Sequence, residues 1–223
     1  RYSLDMLKFN QGKMAISALL DKDYKKLANY EFTVFSQFGE DGVIQKLIND
    51  IGIENKNFIE FGVENFSESN CRFLMMNNNW SGFVIDGSEK NINDLQAVSS
   101  FITKDNINSI LDKSGFDGHI GLLSIDIDGN DYWVLSELDE KWKPEILILE
   151  YNAVFGSERN ITIPYDPDFI RSNEHYSNLY FGASLGALTK LAKQIGYSFI
   201  GTNSSGNNAF YIREDVLHKT SYP

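Results

Sequence analysis

Residues 58–88 carry an acid and a glycine at positions where a parallel sheet binds ligands. The segment FIEFGVENFSESNCRFLMMNNNWSGFVIDGS has the pattern of strand, tight turn, helix and strand, and Asp86 ends the second strand. Ligands of such sheets bind beyond the carboxyl ends of the strands, where a carboxylate offers two oxygens to the paired hydroxyls of a ribose. Gly62 lies in the first turn, where a backbone can approach a ligand closely. Together these residues predict a site for a nucleoside-bearing cofactor.

A second group of acids follows an apolar run at residues 121–127. The sequence SIDIDGND places Asp126 and Asp128 at the end of this run, and LEYN places Glu150 and Asn152 after a later one. Carboxylates that end a buried strand are costly without a partner, so a functional role is favoured for Asp126 and Asp128. The alternative is that residues 128–131 cap the next helix, whose first turn favours acids; Asp131 is interpreted in this way.

Strands and helices alternate along most of the chain, which predicts an α/β protein with a mostly parallel sheet. The chain ends with a helix, a strand, a turn and a returning strand, which adds an antiparallel hairpin and brings the sheet to seven strands. The predicted strands are residues 57–61, 82–85, 100–103, 121–127, 145–149, 197–201 and 209–212, and the predicted helices include 67–77, 89–98, 107–111, 132–138 and 185–195.

Two segments lie outside this alternation. Residues 1–35 are polar and helix-prone and are interpreted as an N-terminal helical extension of a main domain at residues 36–223. Residues 153–182 connect the fifth strand to the last helix without clear periodicity. A connection of this length is usually functional or disordered, and its aromatic content favours an ordered substrate loop.

Charge and cysteine content exclude several partners. The chain of 223 residues has a formal net charge of −11, which disfavours nucleic acid and anionic membrane surfaces. The single cysteine, Cys71, allows no internal disulfide and suggests a reducing, cytoplasmic location. No apolar run is long enough to span a membrane, and no signal peptide is visible. The expected partner is a small molecule, and a homo-oligomer is compatible with the sequence.

The motifs EFGVEN, IDGS, IDIDGNDYWVL and GYSFIGTNSSGNNAFYIRE, in this order, resemble those of class I S-adenosylmethionine-dependent methyltransferases. The segment SQFGEDGVI, followed by the D-x-D-G pattern, is similar to the FkbM-like branch. The resemblance implies a Rossmann-like fold with helices on both faces, and O-methylation of a sugar or nucleotide-activated sugar in polysaccharide or glycoside biosynthesis. One departure is that the first turn has only Gly62, where the superfamily has two or three glycines.

The cofactor's charges indicate which acids bind it. Its sulfonium and ammonium groups suit an acid near the first turn, so Glu60 is the first candidate and Glu64 the second, although Glu60 could instead cap a helix. Asp86 would bind the ribose hydroxyls. The resemblance further implies that Gly62 and Asp126 lie beside the cofactor, that Asp105 or Asn106 contacts adenine, and that Gln37 and Asp41 close over the site.

The resemblance also brings the ends of the fourth and fifth strands together beside the transferred methyl group. Asp126, Asp128, Glu150 and Asn152 would then supply oxygen ligands for Mg²⁺ or Mn²⁺; direct binding of substrate hydroxyls is the alternative. His175 is the histidine best placed to act as a base, or it is a solvated loop residue. The side chains of Arg159, Arg171 and Tyr165 could bind a substrate phosphate or sugar, or the arginines could pair with Asp166 or Asp168.

Three other functions are compatible with the sequence. One is methylation of a phenol, carboxylate or amine in place of a sugar. Another is a non-catalytic domain that binds the cofactor or a sugar. A nicotinamide oxidoreductase fits the sheet but is disfavoured, because the sequence has no G-x-G-x-x-G phosphate-binding loop.

Overall fold

A computed structural model of the chain describes residues 2–63, 66–87 and 96–222. The helices are α1 Tyr2–Leu19, α2 Glu40–Ile51, α3 Arg72–Asn78, α4 Ile107–Leu111, α5 Asp131–Ser136, α6 Arg171–Glu174, α7 Leu185–Gln194 and α8 Glu214–Leu217. The strands are β1 Asn57–Phe61, β2 Ser81–Asp86, β3 Gln96–Ser99, β4 His119–Ile125, β5 Lys143–Glu150, β6 Tyr197–Thr202 and β7 Asn208–Arg213.

The seven strands form one sheet in the order β3-β2-β1-β4-β5-β7-β6. The strands β1 to β5 are parallel to one another, whereas β7 is antiparallel to both β5 and β6. This arrangement confirms the predicted Rossmann-like α/β fold, with its mostly parallel sheet and C-terminal antiparallel hairpin. The carboxyl ends of β1, β2, β4 and β5 therefore meet at one edge.

Neighbouring residues of the central strands point to opposite faces of the sheet, as the pleat of a strand requires. Phe58 packs in the cluster that contains residues of α2, α3 and α8, and Ile59 packs in the cluster that contains residues of α4, α5 and α7. Leu122 and Leu123 divide in the same way. Because both faces are covered by helices, the central strands are continuous apolar runs.

The third strand lies earlier in the chain than predicted. It runs from Gln96 to Ser99 and pairs with β2 from Phe83 to Asp86, whereas the sequence predicted a strand at 100–103 and a helix at 89–98. Residues 89–95 of that predicted helix lie outside the described residues. The strand is at the sheet edge and its residues are mostly exposed, so it lacks the apolar pattern of a buried strand. Phe101 and Ile102, which suggested the later strand, line a cavity instead.

The N-terminal helix packs beside α3. Phe9 contacts Phe73 edge to face, with ring centroids 5.9 Å apart, and Asp5 pairs with Arg72 at 2.8 Å. No helix within the described ranges has both the length and the apolar character that crossing a membrane requires.

The connection at residues 153–182 is ordered over its own small core, which Ile163, Phe169 and Phe181 form with Phe155 packed against them. Asn152 holds the two ends of this connection together. Its amide nitrogen donates to the carbonyl groups of Leu179 at 2.8 Å and Phe181 at 3.0 Å.

Candidate functional site

Two cavities lie at the carboxyl ends of the parallel strands. The larger, of about 370 Å³, is lined by residues that include Glu60, Glu150 and Arg171. The smaller, of about 200 Å³, is lined by residues that include Asp86. Gly62, Asp126 and Asp128 line both cavities. These three residues therefore mark the junction of two adjoining spaces, at the position where α/β proteins bind ligands.

Gly62 allows the turn after β1 to lie against the end of β4. Its φ is +77°, a left-handed conformation that glycine adopts without strain. A Cβ on this residue would lie 1.6 Å from the carbonyl oxygen of Asp126. The glycine is thus required by the neighbouring backbone, in addition to the close ligand approach that the sequence predicts.

The smaller cavity combines an acid with apolar walls. Asp86, half-buried at the end of β2, lines it together with Phe101 and Ile102. Phe101 is 50% exposed although it is a large apolar residue. Phe169, from the connection after β5, closes another side and lies against Gly129. A carboxylate beside apolar surfaces can hold a sugar hydroxyl pair next to a flat ring.

Glu60 is buried in β1 and faces the start of α3. Its carboxylate accepts hydrogen bonds from the hydroxyl of Ser69 at 2.6 Å and from the backbone N–H groups of Asn70 at 2.7 Å and Cys71 at 3.1 Å. Burial raises the pKa of Glu60 to about 7, and these hydrogen bonds limit the rise. Glu60 therefore satisfies backbone donors at a helix start, as its capping alternative predicts, and it also lines the larger cavity.

Asp126, Asp128 and Glu150 form a carboxylate cluster, with one oxygen of each within 4.8 Å of the others. Burial, and then repulsion from Asp131 and Asp128, raise the pKa of Asp126 to about 8; a hydrogen bond with Glu150 limits this rise. Burial and the neighbouring acids also raise the pKa of Glu150. At neutral pH this cluster therefore retains a proton or requires a cation.

Asp131 has a structural role at the start of α5. Its two oxygens accept hydrogen bonds from the backbone N–H groups of Ile127 and Gly129, each at 3.0 Å. Asp131 therefore lies in the first turn of α5 without capping the helix N–H groups, and its hydrogen bonds hold the turn that carries Asp128.

Arg171 reaches the carboxylate cluster from α6. Its Nη1 lies 2.6 Å from an oxygen of Asp128 and 3.6 Å from one of Glu150. Its Nε donates to the carbonyl of Asn178 at 2.8 Å, and its guanidinium lies 3.5 Å from the ring centroid of Phe181. The described ion pairs of Arg171 therefore involve Asp128 and Glu150, and not Asp166 or Asp168, the alternative partners expected from the sequence.

A four-ligand metal site fits these residues only in part. Carboxylate oxygens are suitable donors for a divalent cation, but the amide of Asn152 is engaged elsewhere. Its oxygen accepts from the N–H of Val154 at 3.0 Å, and its nitrogen holds the far end of the 153–182 connection. Arg171, moreover, already brings a positive charge to Asp128 and Glu150.

The predicted base and adenine contacts lie away from the cavity linings. His175 is exposed, its Nδ1 is 2.7 Å from the hydroxyl of Ser177, and it is not among the described residues that line either cavity. Asn106 shapes the loop that carries Phe101, since its nitrogen donates to that residue's carbonyl at 2.8 Å. Asp105 is 3.4 Å from the hydroxyl of Tyr165.

Gln37 and Asp41 lie on either side of the start of α2. Gln37 lines the larger cavity. Asp41 is buried and accepts hydrogen bonds from the backbone N–H groups of Val34, Phe35 and Ser36 at 2.7 to 2.8 Å. It therefore fixes the backbone of residues 34–36, just before Gln37. Glu64 lies outside the described residues.

Several residues of the site were not singled out in the sequence. Phe101, Asn130 and Phe169 line the smaller cavity, and Asn207 and Asn208 line the larger. Asn208 lies opposite Glu150 in the pairing of β5 with β7. Phe101 was predicted to lie within a strand at 100–103, and the asparagines resembled ordinary turn residues, so the sequence carried no signal for either.

The sequence matches no protein-family model and no curated protein. Some solved structures have similar backbones, and three of them are described as O-methyltransferases. A protein from Bacillus cereus in complex with SAH has a TM-score of 0.47 at 14% identity, over 92% of this chain and 89% of that one. TomG from Streptomyces achromogenes, involved in tomaymycin synthesis and in complex with SAM, has a TM-score of 0.43 at 11% identity, over 88% and 93%. An O-methyltransferase family protein from Burkholderia thailandensis has a TM-score of 0.45 at 8% identity, over 78% of this chain and only 58% of its own length.

Proposed function

We propose that this protein is an S-adenosylmethionine-dependent O-methyltransferase that acts on a hydroxyl of a small molecule, with a sugar or nucleotide-activated sugar as the expected acceptor. The observation that carries this proposal is the pair of cavities joined at Gly62, Asp126 and Asp128, with Asp86 in the smaller one. The smaller cavity suits the adenosyl group, and the larger one suits the amino-acid end of the cofactor together with the acceptor. The methyl group would then lie at their junction.

The smaller cavity supports binding of the adenosyl group. Asp86 would accept hydrogen bonds from the two ribose hydroxyls, and Phe101 and Ile102 would cover the apolar faces of adenine. Asn130 supports this assignment: its side chain is buried in the wall of this cavity, and its oxygen has no hydrogen-bond partner in the described part of the chain. An exocyclic amine would supply the missing donor.

The larger cavity supports binding of the cationic part of the cofactor. Its lining includes the acids Glu60, Asp126 and Glu150, and Arg171 pairs with only some of them. The ammonium and sulfonium groups of the cofactor would be attracted to such a surface.

The transfer step requires alignment and one proton acceptor. The hydroxyl oxygen attacks the methyl carbon in line with sulfur, the carbon–sulfur bond breaks with its electron pair going to sulfur, and the sulfonium becomes a thioether. We assign the hydroxyl proton to Asp126, because the pKa of this carboxyl, raised to about 8 by burial and neighbouring acids, suits a base near neutral pH. His175 remains the second candidate for this role.

A sugar acceptor is supported by polar groups around the larger cavity. Gln37, Ser67, Asn207 and Asn208 line it, and the oxygen of Asn208 is buried without a partner in the residues that the structure describes. Amides of this kind can bind several hydroxyl groups of one ligand.

Calorimetry with S-adenosylhomocysteine, the demethylated cofactor, tests the proposal. The wild-type protein should bind one molecule, and Asp86→Ala should weaken binding by roughly tenfold or more, because a buried pair of hydroxyls loses its acceptor. Asp117→Ala is the matched control. This exposed acid precedes β4, at the opposite end of the strand from the site, and accepts a hydrogen bond from the N–H of His119. Absence of binding to the folded wild type would overturn the proposal.

A screen of hydroxylated acceptors, read as the mass gain of one methyl group, then identifies the substrate.

A further inference from the structure

The carboxylate cluster at the junction of the two cavities contains a positively charged side chain where a metal ion would lie. We propose that the guanidinium of Arg171 takes the place of a divalent cation among Asp126, Asp128 and Glu150, so that the protein binds no metal at this site. The inference rests on the proposed function for the role of the site, but the occupancy of the cluster can be measured without any turnover.

The distances place Arg171 between two of the three carboxylates. Its Nη1 is 2.6 Å from Asp128 and 3.6 Å from Glu150. A divalent cation would need these same oxygens at roughly 2.0 to 2.6 Å. It would then lie within a few ångströms of the guanidinium, where two positive charges repel strongly. Metal and arginine therefore compete for one position.

Contacts on its other side hold Arg171 in this position. Its Nε donates to Asn178, the ring of Phe181 covers the guanidinium face, and its side chain is only 28% exposed. A planar, permanently charged group that is fixed by hydrogen bonding and stacking loses little freedom when it binds carboxylates. The arginine is thus positioned in advance as the cation of the site.

Asn152, the predicted fourth metal ligand, contributes to holding the arginine. Its amide nitrogen donates to the carbonyls of Leu179 and Phe181, so it fixes the backbone next to Asn178 and the ring that covers Arg171. Its oxygen accepts a hydrogen bond from the N–H of Val154, so the whole amide supports the connection that carries Arg171. Three carboxylates and one guanidinium then form the ion-pair network of the site.

Manganese binding separates the two possibilities. The loss of the free Mn²⁺ signal in electron paramagnetic resonance, measured with the full chain, should show no specific site in the wild type at millimolar Mn²⁺. Arg171→Ala should gain one site per chain, bound at least roughly tenfold more tightly than any wild-type background. Adding Glu150→Gln to this variant should remove the new site, and methylguanidinium should displace Mn²⁺ from the single variant.

Two further variants guard against a merely structural explanation. Arg171→Lys keeps the positive charge and should still exclude Mn²⁺. Arg159→Ala, which removes an exposed arginine from the same connection, should bind no Mn²⁺. If Arg171→Ala fails to fold, as shown by circular dichroism, the larger neutral substitution Arg171→Gln replaces it and should gain the same Mn²⁺ site.

The outcomes distinguish this inference from the proposed function. One tightly bound Mn²⁺ in the wild type, lost in Glu150→Gln, would overturn the inference, and S-adenosylhomocysteine binding in the same samples would leave the proposed function intact. Conversely, no binding of S-adenosylhomocysteine would overturn the proposed function, while the Mn²⁺ result would stand by itself.

Discussion

Gly62 and Asp126 are in backbone contact across the adjacent ends of β1 and β4. A Cβ on Gly62 would lie 1.6 Å from the carbonyl oxygen of Asp126, and both residues line the two cavities. The contact brings the turn after β1 to the carboxylate cluster. The geometry of the candidate site therefore depends on the absence of one side chain.

Gly62→Ala should destabilise the protein by about 3 kcal/mol, because a side chain would both collide with Asp126 and adopt an unfavourable left-handed conformation. Denaturant unfolding followed by circular dichroism measures this change in the free energy of unfolding.

Gly52 supplies a matched control for this substitution. Its φ of +65° and ψ of +54° lie in the left-handed region, but no atom lies within 4 Å of the position of its Cβ. Gly52→Ala should therefore cost only the conformational part, about 1 kcal/mol. Equal losses in the two variants would show that the contact with Asp126 contributes nothing.

Glu60 should make stability depend on pH. Burial raises its pKa from the ordinary 4.5 to about 7, so the folded protein holds this proton more tightly than the unfolded chain. The resulting stabilisation is complete below about pH 4.5 and is lost as pH rises through about 7, a change of up to about 3 kcal/mol.

Glu60→Gln should remove this dependence, because an amide does not titrate in this range. The free energy of unfolding of both proteins, measured between pH 4.5 and 8, should show a steeper decline in the wild type. Parallel curves would mean that Glu60 titrates normally in the folded state.

Asp126→Asn should lower the rate of methyl transfer to an acceptor found in the screen by roughly a hundredfold or more, since general-base catalysis is lost. In the wild type the rate should rise with pH through about 8, as the carboxyl loses its proton, and this rise should be absent in the variant. Single-turnover rates over pH measure both effects.

His175→Ala is the comparison for Asp126→Asn. We expect this variant to keep the wild-type pH profile, because the imidazole is exposed and its Nδ1 contacts Ser177. If the rise of the rate with pH were absent in His175→Ala and present in Asp126→Asn, the histidine would be the base.

Local sequence was enough to predict the sheet and its acidic edge. Apolar runs such as residues 121–127 and the periodic helices reflect burial on both faces, and an acid directly after a strand lies at the strand's end whatever surrounds it. Asp86, Asp126 and Glu150 were placed in this way. The edge strand β3 was misplaced, because its mostly exposed residues carry no burial pattern.

Only the tertiary structure decided which side chains meet. Arg171 and Asp128 are 43 residues apart in sequence, and Asn208 faces Glu150 only because β7 runs antiparallel to β5. Such contacts depend on how the chain folds back on itself, and residue type and short-range periodicity do not specify long-range contacts. The residue types thus indicated an acidic ligand site, whereas packing determined that an arginine lies within it.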